Sequence, residues 1–236
     1  MINLIDLIYI ERNLISSDEC DIIIEENEFE KKYRESSLNT DLISIRSGGI
    51  VSDINPHDKS IDIINKYTTI TILNYYEYLK NFNYFLVEEL ISSFLYAHNY
   101  RFIKYESGDE FHSHVDWTKK GYYTGSCTIN LSEDYDGGEF TFFNRNYDIK
   151  LNKGDTLIFP ASAFFTHGVK KIKSGLRYCV NSFLSSDLRE FDNKFYKNDI
   201  TLKSKYKHSI FEKINSSYIM AKSKFLINND KEKYER

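Results

Sequence analysis

Glycine is unevenly placed along this chain. Only Gly48 and Gly49 lie in the N-terminal part, and the other eight fall between Gly108 and Gly175. Glycine accumulates where a chain turns often, because it takes left-handed backbone at no steric cost. The segments among those glycines are short, aromatic and β-branched: YRFIKYES, GSCTINLS, GEFTFFN, YDIKLNKG, DTLIFPA and LRYCVNSFL. Their period is close to two, which suits strands. Short strands at regular spacing, with turn residues between them, predict a sandwich or barrel over residues 100–187. Within it, DYDGGEF has the chemistry of a hairpin turn, since Gly137 and Gly138 can both take positive φ.

The flanks read differently. LIYIERNL alternates like a short strand. Ser16 and Glu19 then stand in capping-box spacing, so a helix is expected to start near residue 17, within a helical stretch 16–35. Residues 36–60 mix polar residues with Gly48 and Gly49 and read as a loop with one strand. Residues 60–98 are apolar and mostly helical, in two helices, although the β-branched run 67–73 blurs their boundary. One domain is expected: residues 1–99 as helical support, 100–187 as the β core, and 188–236 as a C-terminal extension.

Composition narrows the class of protein. Hydrophobic residues are 41% and charged residues 28%, which suits a globular chain. The net charge of −4 argues for no particular partner. The extension is basic, with 12 Lys/Arg against 7 Asp/Glu. A basic tail can touch nucleic acid, but a solvated terminus is the plainer reading, and no nucleic-acid partner is expected. Cys20, Cys127 and Cys179 are odd in number and widely spaced, which points to a reducing compartment without disulfides. The N-terminus has acidic residues where a secretory leader has a basic region, and no apolar run approaches the ~18 residues of a membrane span. A soluble, cytoplasmic protein is therefore expected. Abundant Ile, Lys and Asn fit an AT-rich genome, cellular or viral, and say nothing about the reaction.

The chemistry gathers around HSHVD. His114 and Asp116, two apart on a strand, project to one face and can reach one metal ion. His112 shares that parity, so on spacing alone it could join them. A lone HxD is weak evidence, and a further ligand must come from elsewhere. His167 is the best candidate, between a strand ending at Phe159-Pro160 and another beginning near Leu176. Two imidazoles and one carboxylate, with open positions left, form the facial arrangement of non-haem Fe(II) oxygenases.

At this point the chain resembles a family. Tyr105, Gly108, Phe111, His114 and Asp116 are spaced like the first metal motif of the 2-oxoglutarate and Fe(II)-dependent oxygenases of the prolyl 4-hydroxylase type. NLSEDYDGGEFTF, KGDTLIFP and THGVKKIKSGLRY continue the pattern in the family's order, over roughly residues 100–185. The resemblance implies a mainly β protein with flanking helices, its core a double-stranded β-helix, that is, a jelly roll of about eight core strands, cupin-like. It implies Fe(II) held by His114, Asp116 and His167, because glycine and phenylalanine precede the first ligand by six and three residues. His112 is then a neighbour. Arg177, ten residues after His167, is the family's basic residue for the far carboxylate of 2-oxoglutarate. A guanidinium suits that task because it pairs bidentately with a carboxylate. Tyr105 resembles the tyrosine that hydrogen-bonds the cosubstrate. Asn130 stands where many prolyl hydroxylases have a second tyrosine, and an amide can still donate to a carboxylate. Related halogenases have a small residue at position 116, so Asp116 argues for hydroxylation.

The resemblance further implies dioxygen as co-reactant, ascorbate as an accessory cofactor and a peptidyl proline as substrate. A free amino acid or other small molecule is the alternative substrate. A non-catalytic or non-redox cupin-like metal-binding module is the alternative of another class. Trp117, Tyr122 and Tyr123 follow the motif, where either packing or a substrate rim would place them.

Overall fold

The structure is a computed structural model that describes residues 3–29, 34–39, 44–54, 58–82, 87–94, 96–116 and 123–186. Trp117, Tyr122 and the basic extension 188–236 lie outside the described residues.

Strand β1 (Tyr9–Glu11) opens the chain's regular structure. Helix α1 (Ser17–Phe29) starts where the capping signal puts it. The Ser16 hydroxyl accepts the Glu19 N–H at 3.3 Å and donates to the Glu19 carboxylate at 2.9 Å. Two strands follow, β2 (Arg34–Asn39) and β3 (Ser44–Asp53), where the end of the helical stretch 16–35 and then a loop with one strand are expected. Their polar sequence conceals them, because β2 is an edge strand that need not be apolar. Helices α2 (Ser60–Lys80) and α3 (Val87–Ser92) follow. The β-branched run stays helical inside α2. Its Thr69 and Thr71 hydroxyls donate back to the carbonyls of Asn65 and Tyr67 at 2.7 and 2.8 Å, and Tyr67, Thr68, Thr71 and Ile72 are buried. Packing of that face outweighs the propensity cost.

The remaining chain is strand and turn: β4 (Tyr96–Tyr105), β5 (Phe111–His114), β6 (Gly125–Asn130), β7 (Tyr135–Gly137), β8 (Phe140–Phe142), β9 (Tyr147–Ile149), β10 (Thr156–Pro160), β11 (His167–Val169), β12 (Ile172–Gly175) and β13 (Arg177–Ser185). Strand β4 begins at Tyr96, inside the stretch read as helical. Seven strands form a large antiparallel sheet in the order β1-β10-β6-β13-β4-β3-β2, and four form a smaller one, β5-β11-β8-β9.

Alternation along the large sheet sorts its residues to two faces. Phe102, Ile129, Ile158, Val180 and Leu184 pack against Ile23, Ile64, Tyr75 and Ile91 of the helices. Ile103, Tyr105, Leu157, Phe159 and Cys179 face the other way and pack against Phe140, Phe142 and Val169 of the smaller sheet. The rings of Phe142 and Phe159 meet edge-on at 4.9 Å across that gap. The result is helices, large sheet and small sheet in three layers, with a double-stranded β-helix as the core.

DYDGGEF does not close a hairpin. Strand β7 pairs with β12, and β8 pairs with β11 and β9, so the double glycine carries the chain from one sheet to another. Gly137 has φ +77°, and a Cβ there would lie 2.2 Å from the Lys171 carbonyl oxygen. Strand β12 approaches too closely for any side chain. Gly137→Ala is accordingly expected to destabilise the protein by about 2–4 kcal/mol, from left-handed strain plus the collision. Urea unfolding of the variant beside the wild type measures it.

Candidate metal centre

The register of the small sheet brings two histidines face to face. Strands β5 and β11 run antiparallel with His114 opposite His167, and the ring centroids are 4.3 Å apart. Asp116, two residues past His114, completes the group. Its Oδ1 lies 3.3 Å from His114 Nε2 and its Oδ2 lies 3.3 Å from His167 Nε2. One ligand atom from each of the three residues falls within 4.8 Å of the others.

Each imidazole is oriented by its own chain. His114 Nδ1 sits 3.0 Å from the His112 carbonyl oxygen, and His167 Nδ1 sits 3.0 Å from the Phe165 carbonyl oxygen. Nδ1–H therefore donates to the backbone and Nε2 is left to face the centre, as in metal-ligating histidines. The His112 side chain is not part of the group; the residue contributes its carbonyl. The Ser126 hydroxyl donates to Asp116 Oδ2 and fixes the carboxylate. Phe140 stacks on the His167 ring at 5.4 Å, and Phe159 meets it edge-on at 4.8 Å.

Electrostatics agree with a cation site. Burial alone would raise the Asp116 carboxyl, but the adjacent His167 and His114 hold it well below the usual carboxylate range. Burial would lower His167, and the Asp116 carboxylate more than offsets that and raises it. The two imidazoles and one carboxylate suit Fe(II) in type and number. Their pre-set Nε2 atoms and anchored carboxylate would hold the ion with three protein ligands. The residues present thus fit the metal.

The second part of the site lies along the inner face of β13. Arg177 is 1% exposed, yet among the described residues no carboxylate pairs with it. Its Nε donates to Asn130 Oδ1 at 3.2 Å, its guanidinium carbon lies 5.4 Å from the Tyr105 ring centroid, and Nη1 is buried without a partner. A buried cation without a counter-charge is costly. It is a ready anion site, and a carboxylate fits it. Tyr105 stands opposite Arg177 on β4 and is 2% exposed. Burial pushes its phenol up, so it stays protonated. Gly49, at φ +89°, admits that ring: a Cβ there would lie 2.9 Å from Tyr105 Cδ1.

Asn130 behaves differently from the expectation. Its Nδ2 donates to the carbonyls of Ser132 and Asn152 at 2.7 and 3.1 Å, with Leu151 at 3.4 Å. Its Oδ1 receives Arg177 Nε, and the Tyr135 hydroxyl lies 3.4 Å away. The amide thus has no hydrogen left for a carboxylate and instead orients the guanidinium. Ser126 and Tyr135 were not singled out by sequence. Alternation could have found Ser126, which shares the inner face of β6 with Thr128 and Asn130. Tyr135 had no local signal.

A pocket opens against Asp116 and His167, lined also by Ser126, Thr128, Asn181 and Phe183. The ring of Tyr123 stacks on Phe183 at 4.6 Å. The metal group on the small sheet and Arg177 on the large sheet both face the interior between the two sheets, an arrangement able to hold a chelating anion between a divalent ion and a guanidinium.

Comparison with known proteins agrees with this geometry. The model of the 2OG-Fe(II) oxygenase superfamily matches residues 100–185. A PKHD-type hydroxylase of Prochlorococcus marinus (strain MIT 9312) is 30% identical over 124 residues, covering 49% of this chain and 55% of the relative. Another, of Synechococcus sp. (strain CC9902), is 31% identical over 104 residues, covering 42% and 46%. The chain thus spans about half the length of these curated relatives. Among solved structures, a Trichoplax adhaerens prolyl hydroxylase in complex with a hypoxia inducible factor peptide fragment superposes with TM-score 0.58 at 14% identity, covering 77% of this chain and 84% of that one. The viral collagen prolyl hydroxylase of Paramecium Bursaria Chlorella virus-1 gives TM-score 0.56 at 18% identity, covering 77% and 97%. Residues 100–185 are thus similar to the 2OG-Fe(II) oxygenase superfamily, and the fold is that of the solved prolyl hydroxylases.

Proposed function

We propose that the protein is an Fe(II)- and 2-oxoglutarate-dependent dioxygenase that hydroxylates a C–H bond, with a peptidyl proline as the substrate. The observation that carries the reading is Arg177, a buried guanidinium with an unpartnered Nη1 on the large-sheet face that the small sheet bearing His114 and His167 covers. A cupin-like hydrolase would have no use for that cation. Bound at this site, Fe(II) and 2-oxoglutarate supply the power to activate dioxygen and hydroxylate substrate, with succinate and carbon dioxide as co-products.

The chain's own residues do the rest. His114, Asp116 and His167 hold the metal on one side and leave the pocket side open. Arg177 binds the far carboxylate of the cosubstrate, Asn130 orients Arg177, and Tyr105 closes the same end. Phe140 and Phe159 keep water from the back of His167. Residues 100–187 act as the catalytic core and 1–99 as its support. No helix among the described residues is long and apolar enough to cross a membrane.

The assay is succinate release with proline-rich peptides and, in parallel, free amino acids. Release stimulated by a peptide is the expected result. Stimulation only by a free amino acid would move the substrate to the small-molecule class. No release, coupled or uncoupled, would leave a binding module.

A further inference from the structure

Asn181 is a polar side chain that the reading above leaves without a task. Its Oδ1 is buried and makes no hydrogen bond, and the residue lines the pocket shared by Asp116 and His167. Leaving a buried amide oxygen unmet costs about 1–3 kcal/mol, so such an atom calls for an explanation.

Its place in the ladder suggests one. On β13, Cys179 pairs with Asn130, Asn181 with Thr128 and Phe183 with Ser126 of β6. Directly paired residues share a face, so three polar side chains of β6 run along the inner face. Asn130 stands at the Arg177 end and Ser126, hydrogen-bonded to Asp116, at the metal end. Two residues along a strand advance ~7 Å, so Asn181 and Thr128 stand about midway between the ends. The register between β13 and β4 also shifts between Asn181 and Phe183. Such bulges re-aim side chains beside functional sites.

A five-carbon 2-oxo dicarboxylate stretched from the metal to Arg177 must pass Asn181. The two methylenes of that molecule offer nothing to a carboxamide. The polar group within reach of a side chain that lines the metal pocket is the chelating end, the 1-carboxylate with its 2-oxo neighbour. A half-turn about the last side-chain bond places Nδ2, a donor, where Oδ1 now sits, and nothing in the protein holds Oδ1 where it is.

We propose that Asn181 hydrogen-bonds the 1-carboxylate end of the cosubstrate and so selects a 2-oxo acid over a plain dicarboxylate. This rests on the reading of the site as a 2-oxoglutarate site.

The test is anaerobic titration of the Fe(II)-loaded protein with 2-oxoglutarate, following the visible charge-transfer band, with succinate as a competitor that lacks the 1-carboxylate. Asn181→Val is expected to raise the 2-oxoglutarate midpoint roughly 10-fold or more, the loss of one hydrogen bond to a charged group. The succinate inhibition constant should stay within about two-fold of wild type, and Asn181→Thr, which keeps a donor, should recover part of the loss. An unchanged 2-oxoglutarate midpoint in Asn181→Val would overturn the proposal. So would equal weakening of both ligands, which would mark a merely structural residue. A wild type with no band at all would instead overturn the 2-oxoglutarate reading itself.

Discussion

Arg177→Ala is expected to weaken 2-oxoglutarate binding by roughly 10²–10³-fold, since truncating one partner of a buried charge pair costs about 2–5 kcal/mol. The charge-transfer band should still form in this variant, but only at far higher cosubstrate concentration. Metal binding without cosubstrate should be unchanged, because Arg177 is not among the metal-facing group. The ligand-free protein offers an independent check. Arg177 is a buried cation that no described carboxylate pairs with, and an apolar side chain of similar size can often replace such a cation without loss of stability. Arg177→Met should leave the ligand-free protein as stable as wild type, or more so, by thermal unfolding. A residue kept for packing would show the reverse: lower stability and unchanged cosubstrate affinity. Arg177→Lys should fall between, because an ammonium keeps the charge but loses both the fork and the Nε bond to Asn130.

His167→Ala is expected to remove metal binding itself. It deletes one of three ligands and should lower Fe(II) affinity by at least about 100-fold, more than the loss of a supporting residue costs. The same variant should change how the metal-free protein responds to pH. In the wild type His167 is raised by Asp116, so the pair stabilises the fold while His167 is protonated. That contribution is present below the ordinary histidine pKa of ~6.5 and is lost as pH rises through the raised value. Metal uptake must expel the His167 proton, so apparent Fe(II) affinity should climb as pH rises through the same range. In His167→Ala both effects should vanish. Stability curves at several pH values, beside metal titrations at the same values, measure them. A wild-type metal affinity flat from pH 6 to 8 would contradict the description of the pair.

Much of this site could be seen in the chain because its chemistry is short-range along strands. His114 and Asp116 share a face by parity, and the turn-rich spacing around His167 and Arg177 places both on strands. What could not be seen depends on side-chain contacts remote in sequence. Asn130 presents its oxygen to Arg177 because the carbonyls of Ser132, Leu151 and Asn152 take its amide hydrogens. Only the fold brings those carbonyls there. The double glycine was legible as a turn but not as a change of sheet, because its partner is the remote strand β12. One of the strands β2 and β3 was hidden by polar composition, and the start of β4 by the apolar run that precedes it. Helix α2, by contrast, was visible despite its threonines, because its buried stripe is long.

Everything in this account turns on whether the three facing ligands and the buried guanidinium belong to one ligand system. The most direct measurement is the visible spectrum of the wild-type protein, kept anaerobic and loaded with Fe(II), as 2-oxoglutarate is added. A saturable charge-transfer band, absent in His167→Ala and shifted to much higher cosubstrate concentration in Arg177→Ala, is the predicted result. A wild type that binds Fe(II) yet shows no band at any 2-oxoglutarate concentration would contradict it.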